Sequence, residues 1–317
     1  MNKSIIKIGL IGIGKMGQNH LRNLTMLKQV EMLFIYDIDK ELCSSLANEY
    51  DIKVSQDLEN DLKEIDGVII ATPTFTHYKY ILQVSKYVKN IFIEKPLTDT
   101  FETSQKIAQL AKEKNLNIQV GFIERYNSAV VALEKVIRHS TQIINIDFTR
   151  TNKISSRITD VDVVVDLMIH DIDLALHING DAKKIDAHGY IKDGMIEYAR
   201  SIITHKNGAF SNIVASRITE KRIRHIAATC EDMYIDCNLL SKEVFINKQS
   251  LEQYLTNVSI SSKKETIDVR PQEGLLLELI DFIKLCQQRE CNVPNEDDGL
   301  NAIKIASTIQ KIIMDSE

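Results

Sequence analysis

Asp166 and His170 stand four residues apart in the stretch Asp162-Val163-Val164-Val165-Asp166-Leu167-Met168-Ile169-His170-Asp171-Ile172-Asp173. On a helix that spacing puts a carboxylate and an imidazole on one face, here among apolar neighbours. Histidine is the side chain best matched to proton transfer near neutral pH, so the two form a candidate acid–base pair. The bland alternative is an ordinary i, i+4 pair that steadies the helix by roughly a few tenths of a kcal/mol. Asp173 and His177 repeat the spacing one turn on and read as a structural or interface pair. Lys95, in Glu94-Lys95-Pro96, ends an apolar strand, where a lysine can reach a substrate hydroxyl; the alternative is a loop lysine in solvent. Pro96 fixes the chain direction there, and a cis Lys95–Pro96 bond suits so tight a turn.

A second constellation lies at Gly12-Ile13-Gly14-Lys15-Met16-Gly17, which is G-x-G-x-x-G. The apolar run Ile5 to Ile11 precedes it as a buried strand, and a helix from Lys15 to about Leu27 follows. Gly12 makes the tight turn, Gly14 leaves room for a pyrophosphate, and Gly17 lets the helix pack close to the strand. The first N–H groups of that helix favour a phosphate. The next strand, Glu31 to Tyr36, ends on Asp37, the position at which a carboxylate accepts hydrogen bonds from the ribose hydroxyls and repels a 2′-phosphate. The expected cofactor is therefore NAD rather than NADP. Thr72, Pro73 and His77 follow a neighbouring strand and are expected to touch the nicotinamide ribose or its phosphate, or else to cap the next helix.

The segment Thr149 to Arg157 carries Arg150, Lys153 and Arg157 and no acid, and it runs toward the Asp166 helix. Either it binds an anionic substrate such as a pyrophosphate, which arginine grips in bidentate fashion, or it is a solvated loop. A second basic cluster, Lys221-Arg222-Ile223-Arg224-His225, has as its alternative a guard on an edge strand. Against 39 Lys and Arg stand 44 Asp and Glu, a net charge of -5, which points away from nucleic-acid or anionic-membrane partners. No apolar run approaches the ~20 residues of a spanning helix, and the first strand begins at once without a signal-peptide pattern. Five cysteines with no C-x-x-C spacing suit a reducing cytosol and argue against structural zinc. A cytoplasmic protein without a metal is expected.

These residues need a scaffold. Helical patterns alternate with buried strands at Gly67 to Thr72, Asn90 to Glu94 and Asn117 to Phe122, and proline closes two of them at Pro73 and Pro96. That rhythm implies a doubly wound parallel sheet. Past Gly121 it changes. A strand at Gln142 to Thr149 and a helix from about Val163 to Ile178 lead into consecutive strands between Ile185 and Asn238, with a hairpin signal at Asn207-Gly208. Two helices, Gln272 to Arg289 and Asp297 to Met314, end the chain. The expected fold is α/β: an N-terminal Rossmann domain over residues 1–121, and a C-terminal α+β domain over 122–317 with a large open, mainly antiparallel sheet. The exposed face of that sheet is expected to bury a sister subunit in a dimer or tetramer.

Taken together, Gly12-x-Gly14-x-x-Gly17, Asp37, Ala71-Thr72-Pro73 with His77, Glu94-Lys95-Pro96, Gly121-Phe122 with Arg125-Tyr126-Asn127, and Asp166-x-x-x-His170-Asp171-x-Asp173 resemble the glucose–fructose oxidoreductase and inositol dehydrogenase (Gfo/Idh/MocA) family. The resemblance implies a sugar dehydrogenase whose catalytic residues are Lys95, Asp166 and His170. It implies a cofactor site formed by Gly12, Ile13, Gly14, Lys15, Met16, Gly17, Asp37, Thr72, Pro73, His77, Glu94 and Lys95. It further implies substrate contacts from Asn127, Arg150, Arg157 and Asp173. Where many members carry a glycine-rich stretch before the aspartate, this chain has Val163-Val164-Val165. The run Arg157 to Asp173 looks most like the branch that oxidises the 3-hydroxyl of UDP-N-acetylglucosamine. The alternatives are an inositol or free-sugar dehydrogenase, and a dinucleotide-sensing regulator without catalysis.

Overall fold

The structure, a computed structural model, describes residues 5–153, 161–254 and 257–316. They fall into two compact units. The first runs to Ile123 and takes in Glu273–Ile303, and the second comprises Glu124–Gln272 and the residues from Lys304 onward. A single boundary at residue 121 is thus too simple, because the chain returns to the first unit late in the sequence.

The first unit alternates strand and helix: β1 (Ile6–Ile11), α1 (Lys15–Thr25), β2 (Val30–Tyr36), α2 (Lys40–Tyr50), β3 (Lys53–Val54), α3 (Leu58–Asp61), β4 (Gly67–Ile70), α4 (His77–Val84), β5 (Asn90–Glu94), α5 (Phe101–Lys114) and β6 (Asn117–Gly121). The strands form one parallel sheet in the order β3-β2-β1-β4-β5-β6. All four residues of β4 and the middle three of β5 are buried, as strands covered on both faces by helices must be. The order reverses between β1 and β4, and at such a switch point the loops after the strands part to leave a crevice.

The helix that returns to this unit follows the second unit's strands in sequence. Leu275, Leu279, Phe282 and Ile283 recur at helical spacing, and all four sit in one core with Leu10, Leu21, Leu24 and Phe92. Phe92 and Phe282 meet edge to face at 5.7 Å. Gln119 Nε2 donates to Glu278 O at 3.1 Å, and Arg22 and Asn23 of α1 donate to Glu273.

The second unit contains α6 (Ser128–Ile137), β7 (Ile143–Thr151), a π-helical turn (Val164–Met168), α7 (Ile169–Asn179), β8 (Ala182–Lys192), β9 (Met195–His205), β10 (Phe210–Ser216), β11 (Ile223–Cys230), β12 (Met233–Asn238), β13 (Glu243–Tyr254) and β14 (Asn257–Ile267). Two helices complete the chain, α8 (Gly274–Cys286), the one packed in the first unit, and α9 (Glu296–Met314). The eight strands are ordered β14-β13-β12-β11-β7-β10-β9-β8. Neighbours run antiparallel except β7 and β10, which are parallel. The long β13–β14 pair was not expected from the sequence. The cluster at Lys221 to His225 is not an edge guard, since β11 lies between β12 and β7. Among the described residues no helix is long and apolar enough to cross a membrane.

Phe282 is fully buried, and removing such a ring typically costs about 3–5 kcal/mol. Phe282→Ala is therefore expected to lower the denaturant midpoint of the unit that carries the glycine turn. An unchanged unfolding curve would show that α8 does not belong to that unit's core.

Candidate active site

In the first unit a cavity of about 590 Å³ opens at the carboxyl ends of β1, β2, β4 and β5. Gly12, Gly14 and Met16 contribute from the turn after β1, and Asp37 from the end of β2. Thr72 and Pro73 line it after β4, and Glu94 and Lys95 after β5. The glycine spacing was legible because each glycine answers a different steric demand. Gly12 has φ +90°, and a Cβ there would lie 2.7 Å from the Ala71 backbone. A Cβ on Gly17 would lie 2.0 Å from Gly12 O. A Cβ on Gly14 would meet no protein atom within 4 Å, so the space above it is left to a ligand.

The chemistry of the lining fits NAD. Gly14 is the N-cap of α1, with no side-chain cap and no acidic residue in the first turn, so that helix end favours an anion. Asp37 Oδ2 accepts the Ile13 N–H at 2.8 Å, and Oδ1 accepts that of Asp39 at 3.1 Å. The carboxylate is thereby fixed at the cavity wall. Glu94 Oε1 lies 2.7 Å from His20 Nε2. Burial opposes the charge on Glu94, but the His20 hydrogen bond and the fields of Lys95 and His77 hold its carboxyl below the ordinary value. The Lys95–Pro96 bond is cis, the form that suits so tight a turn.

Four of the expected cofactor residues, Ile13, Lys15, Gly17 and His77, are not among the residues that line the cavity. The Ile13 side chain is fully buried, and its N–H is taken by Asp37. Lys15 is exposed and does not line the cavity. Gly17 supplies close packing. His77 is buried beneath the loops, with each ring nitrogen at hydrogen-bond distance from a backbone carbonyl, and is not part of the lining. The sequence reading missed Phe75 and Tyr80, both of which line the cavity. Phe75 is an apolar side chain 70 % exposed, in the turn that Pro73 initiates, and its position after a strand-ending proline was the available signal.

In the second unit Asp166 lies within the π-helical turn, where the Ile169 N–H reaches back to Val164 O, and His170 lies in the first turn of α7. The expected continuous α-helix is therefore wound wider around Asp166, a departure found often at functional sites. Asp162 caps this start. Its Oδ1 accepts from the Val164 and Val165 N–H groups, and its Oδ2 from Gln310 at 2.8 Å. Arg217 Nε stands 3.9 Å from Asp166 Oδ2.

The described residues among the expected substrate contacts are each bonded to protein groups. Arg150 faces inward from β7 and is 2 % exposed. It forks onto Asp171 at 2.9 and 2.8 Å and donates to Glu124 at 2.8 Å. Burial works against the Glu124 charge, but Arg150, Asn127 and Arg224 overcome it and hold the carboxyl at about 2. Asn127 caps α6 through Ala129 N–H, donates to Glu124 and accepts from Lys242. Asp173 receives a two-pronged bond from Arg125 at 2.8 and 2.6 Å and is buried. Its expected partner His177 instead faces Glu134 at 3.3 Å. Lys153 pairs with Glu220. Arg157 lies outside the described residues. Arg150, Asn127 and Asp173 are thus each bonded within this unit.

Residues 6–122 match the Gfo/Idh/MocA group, described as an oxidoreductase family with an NAD-binding Rossmann fold. The chain is 26 % identical over 282 residues to a UDP-N-acetylglucosamine 3-dehydrogenase from Acidithiobacillus ferrooxidans, covering 88 % of each chain. It is 30 % identical over 235 residues to a scyllo-inositol 2-dehydrogenase (NAD(+)) from Bacillus subtilis, covering 67 % of each. A solved structure of the UDP-N-acetylglucosamine 3-dehydrogenase from Acidithiobacillus ferrooxidans matches with a TM-score of 0.87 at 23 % identity, covering 97 % of each chain, a likeness of fold.

Two substitutions separate ligand space from packing space. Gly14→Ala is expected to leave the melting temperature unchanged and weaken NADH binding about tenfold, or 1.4 kcal/mol, by fluorescence titration. Gly17→Ala is expected to lower the melting temperature, by about 1–3 kcal/mol of overpacking. For Arg150→Met the expectation is a loss of about 3–5 kcal/mol, because two buried carboxylates lose their counter-charge. A raised KM at unchanged stability would instead return Arg150 to the substrate site.

Proposed function

The chain belongs to the Gfo/Idh/MocA family of NAD-binding oxidoreductases, and on that premise we propose that it oxidises a secondary hydroxyl of a nucleotide sugar, the 3-hydroxyl of UDP-N-acetylglucosamine, to a ketone. The observation that carries the reading of substrate is similarity along 88 % of the chain to an enzyme of that name. The motif from Asp166 to Asp173 adds to it.

Gly12, Gly14 and Asp37 would hold the NAD, which supplies the hydride acceptor when bound. In this reading His170 takes the proton of the substrate hydroxyl as its carbon–hydrogen bond breaks. Lys95 donates a hydrogen bond to the same oxygen and stabilises the negative charge that develops there. Asp166 orients the imidazole. Asp37 disfavours a 2′-phosphate, in keeping with NAD over NADP. The reading includes a dimer or tetramer formed through the eight-stranded sheet. Its support is an exposed row, where Tyr234 of β12 and Phe210 of β10 stand in register across Thr229 and Asn145, with Ile202 of β9 on the same face.

A second reading, an inositol substrate, has its own support. Arg150 is internal and Lys153 stands beside Glu220, which weighs against two of the basic groups assigned to a pyrophosphate. The scyllo-inositol dehydrogenase relative points the same way.

The test is NADH formation when NAD is mixed with the protein and UDP-N-acetylglucosamine, other UDP-sugars or inositols. Turnover with UDP-N-acetylglucosamine is expected, and reaction with inositols alone would overturn the substrate assignment. His170→Asn is expected to lower kcat by ~10²–10⁴-fold while NADH still binds, as for loss of a general base.

A further inference from the structure

His77 opens α4, and its ring is 1 % exposed. Nδ1 lies 2.9 Å from Pro96 O, and Nε2 lies 2.9 Å from Thr72 O. These two carbonyls belong to different loops. Thr72 and Pro73 carry the chain away from β4, and Lys95 and Pro96 carry it away from β5. Thr72, Pro73 and Lys95 all line the cavity above. A carbonyl oxygen only accepts, so each contact calls for an N–H on the ring. The imidazolium meets both at once, and the neutral ring one at a time. Burial weighs most and holds the ring's pKa below that of a free imidazole, although the two carbonyl contacts and the field of Glu94 favour the charge, so the neutral ring donates to one carbonyl at a time. A residue that only filled space here would be apolar. A ring with two opposed nitrogens, each 2.9 Å from a carbonyl oxygen and either able to carry the proton, specifies the separation of the two loops.

We propose that His77 is a positioning residue that ties the Thr72 loop to the Pro96 loop and so sets where Lys95 stands at the cofactor cavity. Its effect on turnover rests on the reading of Lys95 given above, whereas its effects on cofactor binding and loop order do not. Displacing a reacting group by about 1 Å costs up to ~10²-fold in rate.

Three variants test this. In His77→Asn the amide N–H stands near the position of Nδ1 and keeps the bond to Pro96 O. In His77→Gln it stands near Nε2 and keeps the bond to Thr72 O. His77→Leu keeps neither. Amide hydrogen exchange is expected to rise at residues 95–98 in His77→Gln, at residues 72–76 in His77→Asn, and at both in His77→Leu. NADH affinity is expected to fall about tenfold in His77→Leu. In NADH formation, kcat is expected to stay within about fivefold of the parent in His77→Asn and to fall ~10–100-fold in His77→Gln, with a smaller change in the KM for NAD. If the two amide variants behave alike in exchange, and affinity merely follows melting temperature across the series, His77 is only a packing residue and the proposal fails. The contrast between the two amide variants carries the test where His77→Leu does not fold. A chain that turns over no sugar at all would undo the function proposed above while leaving the exchange and binding results to decide this one.

Discussion

There is no room for a side chain on Gly17, where a Cβ would sit 2.0 Å from the carbonyl oxygen of Gly12. Much of the first unit's cavity follows from that approach. It brings the start of α1 against the turn after β1, and Gly12 in turn packs against the Ala71 backbone at the end of β4. The Ile13 N–H between these glycines reaches Asp37 at the end of β2. Three strand ends and a helix start are thus joined at backbone distance. Such a joint cannot flex without breaking buried hydrogen bonds, each of which exposes a polar group to an apolar surrounding. The helix end suited to a phosphate and the carboxylate suited to a ribose are therefore held as one piece. Gly14 stands open in the middle of it.

The parallel sheet was legible because its strands are buried on both faces and so read as short apolar runs closed by glycine or proline. Two features of the fold were not legible, for different reasons. The periodicity of α8 gave its apolar face but not the surface that face would cover. Leu275, Leu279, Phe282 and Ile283 would suit any core, and only the tertiary structure assigns them to Leu21 and Phe92. The β13–β14 pair is rich in Lys, Gln, Ser and Glu. Such a composition hides a strand whose hydrogen bonds come from its neighbour, because pairing is a property of the backbone and leaves little trace in composition.

The cavity residues were legible for the reason the substrate residues were not. A glycine turn is a local steric device, so its sequence context is almost its whole context. A basic residue in a loop-like stretch carries no sign of where its counter-charge lies. Arg150 did leave one clue, that of parity. Ile146, Phe148 and Arg150 alternate on β7, as Arg224, Ile226 and Ala228 do on β11, and each arginine points the way its apolar partners point. The two arginines stand opposite each other in register. Like charges so placed repel, and Glu124 receives a hydrogen bond from both, with Asp171 held by Arg150. Asp171 and Glu124 are distant in sequence from both strands, so their part in this arrangement could be read only from the folded chain.

Buried ion pairs are a poor way to gain stability, since desolvation offsets most of the attraction and apolar replacements often do as well. Two of them on one short stretch of this unit, beside a third carboxylate fixed by hydrogen bonds, call for another reason. Asp162 is fixed by two N–H groups and Gln310, Asp171 by the fork of Arg150, and Asp173 by the fork of Arg125. Asp166 and His170 lie between the first of these anchors and the other two. An apolar face would hold α7 against the sheet but would tolerate rotation about the helix axis, because dispersion contacts have little direction. A two-pronged guanidinium–carboxylate bond has a plane and a direction and accepts one rotation only. The need is greatest where the helix is wound wider, at Val164 to Met168, because a π turn departs from the bonding pattern that keeps an α-helix in phase. The anchors on either side supply the phase that the turn itself does not, and they fix the direction in which the carboxylate and the imidazole between them emerge.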